Sequence, residues 1–391
     1  MTMSGRKRAD NKVIVIGGGI GGLATAISLR AIGLDVQVYE RAHELKEVGA
    51  GLTIWHNGIR ACEHLGLREA VLQTGVSLQK AQFRTKDGSI LRVLDPSEFD
   101  LGTDLPPVVV LHRADLQRIL LDAVGDGLIH LDHDCIAVDE HEDGVTARFA
   151  NGNEVRGDLL IGADGIHSVV RASLQGQEPP RYTGISIWRG LVPFDHPLFA
   201  AGTMFNSLGL GKRFFAGLMG DSVVFWGGTI RTEEKVLESA THRKQMAMEV
   251  YKDWHEPIPD LVAATDPLAI LWDGVYDRPP LDQWGRNSIT LLGDAAHLAA
   301  PLVGQGACQA LEDAVWLARY LDSPRDTPSA LRAFESHRQE RTSMIIKSSR
   351  QTGRMLHLSN PIAVSLRNLL LKYMPRSFVT RLQMRTIEDD L

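Results

Sequence analysis

The first strongly patterned segment of the chain is "KVIVIGGGIGGLATAISLRAIGLDVQVYE", Lys12 to Glu40. Val13 to Ile16 are continuously apolar and β-branched, the pattern of a strand buried on both faces of a parallel sheet. A glycine run, a helix of small residues stopped at Gly33 and the alternating strand "DVQVYE" follow. "GAG" (Gly49 to Gly51) reads as a loop. "NGIRACEHLGL" reads as a short helix with Asn57 as its N-cap. "QFRTKDGSILRVL" predicts a hairpin around a D-G turn. "VVVLHRADLQRILLDAV" predicts a strand and then a helix burying Leu116, Ile119, Leu120 and Val124. "CIAVDEHEDGVTARFANGNEVRGDLLIGADG" predicts a meander that ends in a buried strand. Between about residues 180 and 275, runs such as "GISIWRGLVPF" and "SVVFWGGTI" alternate, which predicts a second, mostly antiparallel sheet closed by the helix in "KVLESATHRKQMAMEVYKDW". "ITLLGD" then returns to a parallel-sheet strand. "GQGACQALEDAVWLARYL" gives a helix with Ala310, Leu311, Ala314, Val315 and Ala318 on one face. Beyond Ser359 the pattern is an amphipathic helix, or a pair broken at Pro375.

The fold class that follows is α/β: a Rossmann-like domain interleaved with a mostly antiparallel β-sheet domain, plus C-terminal helices. The chain has 391 residues and 44% hydrophobic content, enough for two cores. A net charge of −6 offers no basic field for nucleic acid or an anionic membrane. Cys62, Cys135 and Cys308 have neither metal-ligand nor disulfide-framework spacing, which fits a reducing, cytoplasmic setting. There is no metal-ligand cluster and no apolar run long enough to span a bilayer. The polar N-terminus lacks a signal-peptide core.

Gly17, Gly19 and Gly22 form G-x-G-x-x-G between strand and helix. Gly17 permits the turn, Gly19 lets a pyrophosphate approach the backbone, and Gly22 lets helix and strand pack. The helix start offers N–H groups and a positive dipole end to that anion. Glu40 ends the second strand, where an acid usually binds a ribose hydroxyl and disfavours a 2′-phosphate. This unit predicts an adenosine dinucleotide and leaves NAD and FAD open. No second G-x-G-x-x-G follows a strand, so a separate NAD domain is not expected. No C-x4-C is present for disulfide-reductase chemistry.

"DLLIGADGIHSVVR" (Asp158 to Arg171) and "LLGDAAHLAAPLVGQGACQALEDA" (Leu291 to Ala314) add to that unit. With it they resemble the three fingerprints of the FAD-dependent aromatic hydroxylases, the single-component flavoprotein monooxygenases. The likeness is greatest to the branch of salicylate, urate and 6-hydroxynicotinate hydroxylases and zeaxanthin epoxidase, and it covers nearly the whole chain. The resemblance implies FAD, with NADH or NADPH visiting as a transient co-substrate. It implies hydroxylation or epoxidation of a small aromatic or unsaturated substrate by O2 through a flavin C4a-hydroperoxide. It places Asp294 on the ribityl chain, and Asp164 and Gly165 near both FAD and the pyridine-nucleotide pyrophosphate. Arg41, Gly51, Arg113 and Gln117 are also assigned to FAD. Past Pro301, the helix start at Gly304, Gly306 and Ala307 would face the flavin pyrimidine edge. Cys308 and Gln309 depart from the family's usual Asn there. The corresponding domains are residues 11–75, 105–178 and 276–355 for FAD, 76–104 and 179–275 for the substrate sheet, and 356–391 for the C-terminal helices.

The substrate is expected between that sheet and the flavin ring, with Trp188, Phe205, Arg213, Phe215, Met219 and Trp226 as candidates. Arg213 resembles a substrate-orienting or catalytic arginine of the urate-hydroxylase relatives. No phenol-activating base is evident. Two rivals are a reductase of the same fold that uses no O2, and an FAD-binding protein without activity that docks a partner or membrane. Ile362, Leu366, Leu369 and Leu370 form an apolar face whose favoured reading is packing on the chain's own FAD domain, so membrane contact is not expected. A monomer or homodimer is expected.

Overall fold

The computed structural model describes residues 11–45, 51–96, 104–200, 202–220, 222–237, 239–387 and 391. A parallel sheet of five strands lies at its centre, in the order Ile289–Leu291, Leu159–Gly162, Lys12–Ile16, Asp35–Tyr39 and Ile129–His130. Val13, Ile14 and Val15 are wholly buried, as a strand covered on both faces requires. Helices Ile20–Ala31 and Gly306–Leu321 pack on each other over this sheet. An antiparallel meander of Cys135–His141, Gly144–Phe149 and Glu154–Gly157 branches from it. Its third strand is separate from Leu159–Gly162, although the sequence pattern runs the two together.

The second sheet has seven strands, in the order Leu271–Asp277, Arg181–Pro193, Val223–Arg231, Lys212–Met219, Thr203–Leu208, Lys80–Thr85 and Ile90–Leu94. All pairings are antiparallel except Thr203–Leu208 with Lys80–Thr85. The 80–94 hairpin thus joins a sheet built mainly from strands that begin at Arg181 and beyond. One face of this sheet is covered by helices Ala240–Tyr251 and Ile258–Ala264 over an aromatic core. The other meets the segment carrying Ala300 and Leu302 through Ile185, Ile187 and Phe215.

Three local expectations change. Gly49 and Ala50 lie outside the described residues, and Gly51 starts a strand, Gly51–Trp55, paired with Val108–His112. Asn57 is not an N-cap. The helix is His56–His64, and Asn57 is wholly buried, bonded to Gln305 and Glu312. The C-terminal pair forms as Pro361–Tyr373 and Arg376–Ile387, but its apolar face does not pack on the body. Ile362, Leu366, Leu369 and Leu370 are exposed, and the inward side of the helix carries Leu371 and a buried Arg367.

The glycine turn shows why its residues are fixed. A Cβ on Gly22 would lie 1.9 Å from the Gly17 carbonyl oxygen, and one on Gly17 would lie 2.4 Å from the Ala163 carbonyl oxygen. Both are backbone collisions that no rotamer relieves. Gly22→Ala is expected to destabilise the fold by about 2–4 kcal/mol, read as a lower urea midpoint at unchanged slope; a midpoint equal to the parent's would contradict this packing.

Candidate functional site

Three turns meet at the carboxyl edge of the parallel sheet, where open α/β sheets bind ligands. The first follows Ile16, the second follows Gly162 and the third follows Leu291. They are in contact: Gly17 packs against Ala163 and Asp164, and Gly21 against Leu292. Helix Ile20–Ala31 begins at Gly19 with no side-chain cap and no acid in its first turn. A Cβ on Gly19 would meet nothing within 4 Å, so open space lies over these N–H groups. Glu40 closes the turn, its Oε2 accepting from Gly18 N at 2.6 Å and its Oε1 from Ala42 N at 2.9 Å. Gln117 reaches the same turn, donating to the Gly18 carbonyl at 3.4 Å. Arg41, beyond Glu40, is exposed.

Asp164 is engaged within its own turn. Its carboxylate accepts from Ser168 Oγ at 2.5 Å and from the Val169 and Val170 N–H groups at 2.7 and 3.2 Å. It thereby satisfies the first N–H groups of the helix Val169–Gln175, whose N-cap is Ser168, and Gly165 turns beside it at φ +73°. Enclosure by protein raises its pKa, and these donors offset part of the rise. Arg171, buried, donates to the Ala295 carbonyl at 3.3 Å and braces the neighbouring turn.

Asp294 is surrounded by protein, which pushes its pKa up against the fields of His297 and Arg113, yet its side chain is solvent-accessible. An acid that is both enclosed and accessible lines an internal cleft. A Cβ on Gly306 would lie 3.9 Å from Asp294 Oδ1, so the start of helix Gly306–Leu321 borders the same space. Gly304, at φ +67°, faces Thr53 and the Trp55 indole, whose Nε1–H is buried without a partner. Gly304, Gly306 and Ala307 are partly accessible, and Pro301 is exposed. The open helix start at Gly19, Asp294 and the second helix start at Gly306 thus belong with the three turns gathered at this sheet edge. They offer anion-binding N–H groups and a carboxylate acceptor. That donor set fits the pyrophosphate and polyol of FAD.

A buried polar network lies behind this cleft, and the sequence did not disclose it. Arg338, from the 30-residue helix Thr327–Leu356, donates Nε to Asp313 Oδ1 at 2.7 Å and NH1 to Glu312 Oε2 at 2.6 Å. Its NH2 reaches Gln309 Oε1 at 2.7 Å. Asp313 Oδ2 accepts from Gly293 N at 3.0 Å and from His297 Nε2 at 2.6 Å. Asn57 bridges Glu312 and Gln305. The Arg338 guanidinium and the His297 contact hold the Asp313 carboxyl down at about 2 in spite of its burial. His297 is thus a structural partner of Asp313.

The candidates on the second sheet divide by face. Arg213, Phe215 and Met219 alternate onto the side that meets Ala300 and Leu302. Trp188, Phe205 and Trp226 point the other way and are corrected to core residues. They are at most 1% exposed, and Trp226 stacks on Phe214 at 5.4 Å and Trp188 packs on Trp272 at 4.3 Å. The Trp188 indole donates to the Arg243 carbonyl and that of Trp226 to Thr265 Oγ1. Arg213 stands out on the inner face. Asn206 Oδ1 accepts from its Nε at 2.9 Å and from its NH2, and its guanidinium lies 4.7 Å from the centre of the Phe215 ring. Enclosure lowers its pKa to about 10, so it is cationic at neutral pH, and no carboxylate is paired with it among the described residues. Behind it His357 donates Nδ1–H to the Gly353 carbonyl and accepts from the Thr229 hydroxyl at 2.8 Å.

Residues 10–198 and 274–349 match the family described as FAD binding domain. The chain belongs to the FAD-dependent aromatic hydroxylases. It is 34% identical to aurachin C monooxygenase/isomerase of Stigmatella aurantiaca, across 93% of this chain and 94% of that one. It is 33% identical to an FAD-dependent urate hydroxylase of Klebsiella pneumoniae, across 88% and 90%. It is 35% identical to 3-amino-4-hydroxybenzoate 2-monooxygenase of Streptomyces cremeus, across 89% and 88%. The structure of Klebsiella pneumoniae HpxO complexed with FAD and uric acid superposes with a TM-score of 0.92 at 29% identity, covering 97% of both chains. Such a hydroxylase is an FAD-dependent monooxygenase, which sets aside the reductase and non-enzymatic readings. Among the described residues no helix is long and apolar enough to cross a membrane, and no group of His, Cys, Asp and Glu could hold a metal ion. Burial pushes all three thiols up to about 12, which keeps them protonated.

Two outcomes follow from this geometry. Asp294→Asn is expected to weaken FAD binding roughly tenfold to hundredfold, measured by fluorescence titration of apoprotein; unchanged affinity would remove Asp294 from the cofactor cleft. Burial, with Arg213 and Arg367 nearby, lowers the His357 pKa to about 4. A depressed folded pKa stabilises the fold above the unfolded value of about 6.5 and loses that stability as pH falls toward 4. Stability is expected to drop on the order of 3 kcal/mol over that window. In His357→Asn the same interval should be flatter in urea titrations, and an equally steep loss would refute the assignment.

Proposed function

We propose that the protein oxygenates a small aromatic or unsaturated substrate with an anionic or acceptor-rich edge, using O2 and taking reducing equivalents from NADH or NADPH. The observation that carries this reading is Arg213: an enclosed cation, held by a neutral amide, with an aromatic ring beneath it and no paired acid among the described residues. An enclosed charge of this kind is costly until a counter-group meets it. A carboxylate, enolate or ring carbonyl on the substrate meets that need through charge-assisted hydrogen bonds. The relatives named for urate and for aminohydroxybenzoate act on ring compounds of this character.

Bound FAD supplies the electron transfer and oxygen activation. The roles proposed for this chain's residues are binding, orientation and exclusion of water. Gly17, Gly19 and Gly22 hold the pyrophosphate on the helix start, with Glu40 on the adenosine ribose and Asp294 on the ribityl hydroxyls. Arg41, Gly51, Arg113, Gln117, Asp164, Gly165 and Pro301 are proposed to contribute to the same site. Gly304, Gly306 and Ala307 would hold the flavin ring through backbone N–H groups and a positive helix end, which would stabilise negative charge there. Arg213 orients the substrate, and Phe215 and Met219 wall its site with apolar surface that keeps water from the reacting atoms.

The test is a screen of NADH and NADPH oxidation against aromatic acids, purines, quinolones and their neutral esters or N-methyl analogues. Anionic or acceptor-edged compounds should stimulate oxidation, yielding oxygenated product with little H2O2. Arg213→Gln should retain FAD and lose roughly tenfold to hundredfold in kcat/KM. Equal turnover of charged substrates by Arg213→Gln would overturn the reading.

A further inference from the structure

The helix Pro361–Tyr373 has its polarity inverted. Arg367 points into the body at 3% exposure, its guanidinium donating to the Leu356 carbonyl at 3.1 Å and to Asn368 Oδ1 at 2.9 Å. Ile362, Leu366, Leu369, Leu370 and Tyr373 recur at three- and four-residue spacing on one stripe and are 53–80% exposed. Surface helices ordinarily show the reverse. The helix is not a loose tail. Asn360 caps it by accepting from Ile362 N and Ala363 N at 3.0 and 3.1 Å, and Leu371 packs beside Leu91, Leu208 and Leu356. Arg92 donates Nε to the Leu371 carbonyl at 2.7 Å and another N–H to the Met374 carbonyl. A firmly seated helix therefore presents a row of large apolar side chains outward, the mark of a surface made for contact.

Charge decides what the contact is with. From Arg341 to Ile387 the chain carries nine Lys or Arg and no Asp or Glu, within a protein of net charge −6. The acids resume at Glu388, outside the described residues. Lys372 on the helix itself, and Arg376 and Arg381 on the next one, are exposed, as is Phe378. A two-fold contact between copies through this face would set these cations against their own images. An anionic lipid surface supplies both the apolar layer and the opposite charge. We propose that the outward face of Pro361–Tyr373 docks the protein reversibly on anionic bilayers, with the stripe entering the interface and Lys372, Arg376 and Arg381 meeting the headgroups. This rests on the C-terminal face alone and is independent of the substrate reading.

The test is co-sedimentation of the FAD-loaded protein with vesicles of phosphatidylcholine alone or with about 30 mol% phosphatidylglycerol, with sedimentation analysis of the free protein. Binding should be at least about tenfold tighter to the anionic vesicles and weaker in ~0.5 M NaCl. Leu366→Glu with Leu370→Glu should abolish it while flavin content and melting temperature stay at parental values. Lys372→Gln, Arg376→Gln and Arg381→Gln together should remove the preference for phosphatidylglycerol. Failure to bind anionic vesicles would overturn the proposal, as would a dimer that the Leu366→Glu, Leu370→Glu variant dissociates.

Discussion

One buried cation holds the cofactor cleft in shape. Helix Gly306–Leu321 carries Glu312 and Asp313 through the core at 1% and 0% exposure, and Arg338, which pairs with both, does most to make that burial tolerable. Two adjacent carboxylates in so dry a place would repel each other and draw protons. The guanidinium fork pairs with both and reaches Gln309 as well. The remaining carboxylate oxygens then accept from the elements that line the cleft. Asp313 holds Gly293, immediately before Asp294, and Glu312 holds Asn57, which in turn holds Gln305 beside Gly306. Removing one partner of such a network costs about 3–5 kcal/mol, because the other charges are left unpaired. The two turns assigned to the flavin are in this way referenced to one rigid centre (an arrangement that favours precise placement of a ring).

The cleft itself is made of backbone and short side chains, and its electrostatics come from placement. Gly19 leaves open space over a helix start, and Asp294 is enclosed but accessible. On the inner face of the second sheet, Arg213 has no paired carboxylate among the described residues and lies in apolar and amide surroundings. On the proposed reading, a carboxylate serves the cofactor side and a cation the substrate side. The sheet's far face does different work. Trp188, Phe205, Phe214 and Trp226 pack under two helices there, giving Arg213 and Phe215 a firm base.

Much of this was legible from residue order. The glycine turn, Glu40, the "GADG" and "GDAAH" motifs and the hairpin patterns are local signals, and the structure forms the elements they predict. What was hidden depends on contacts distant in sequence. Strand alternation fixes which residues share a face but not which face meets the cofactor, so Trp188, Phe205 and Trp226 were grouped with Arg213. Asn206 is ordinary in sequence and matters only because its strand pairs with Lys212–Met219. Glu312 and Asp313 read as polar positions on a helix until Arg338, from the next helix, is seen between them. Asp164 belongs to a cofactor motif, and its bonds to Ser168, Val169 and Val170 show only once the turn is folded. The stripe at Ile362–Tyr373 carried a helical period, which states that the helix has an apolar side and not whether the body covers it.

The central claim is that these three strand-end turns form a resident FAD site. The most direct measurement is the absorption spectrum of the purified protein, with chromatographic identification of the chromophore released on denaturation. The account predicts a yellow protein with oxidised-flavin bands, close to one flavin per chain, and released FAD with no FMN or NAD. A colourless protein that takes up no FAD when it is supplied would contradict it.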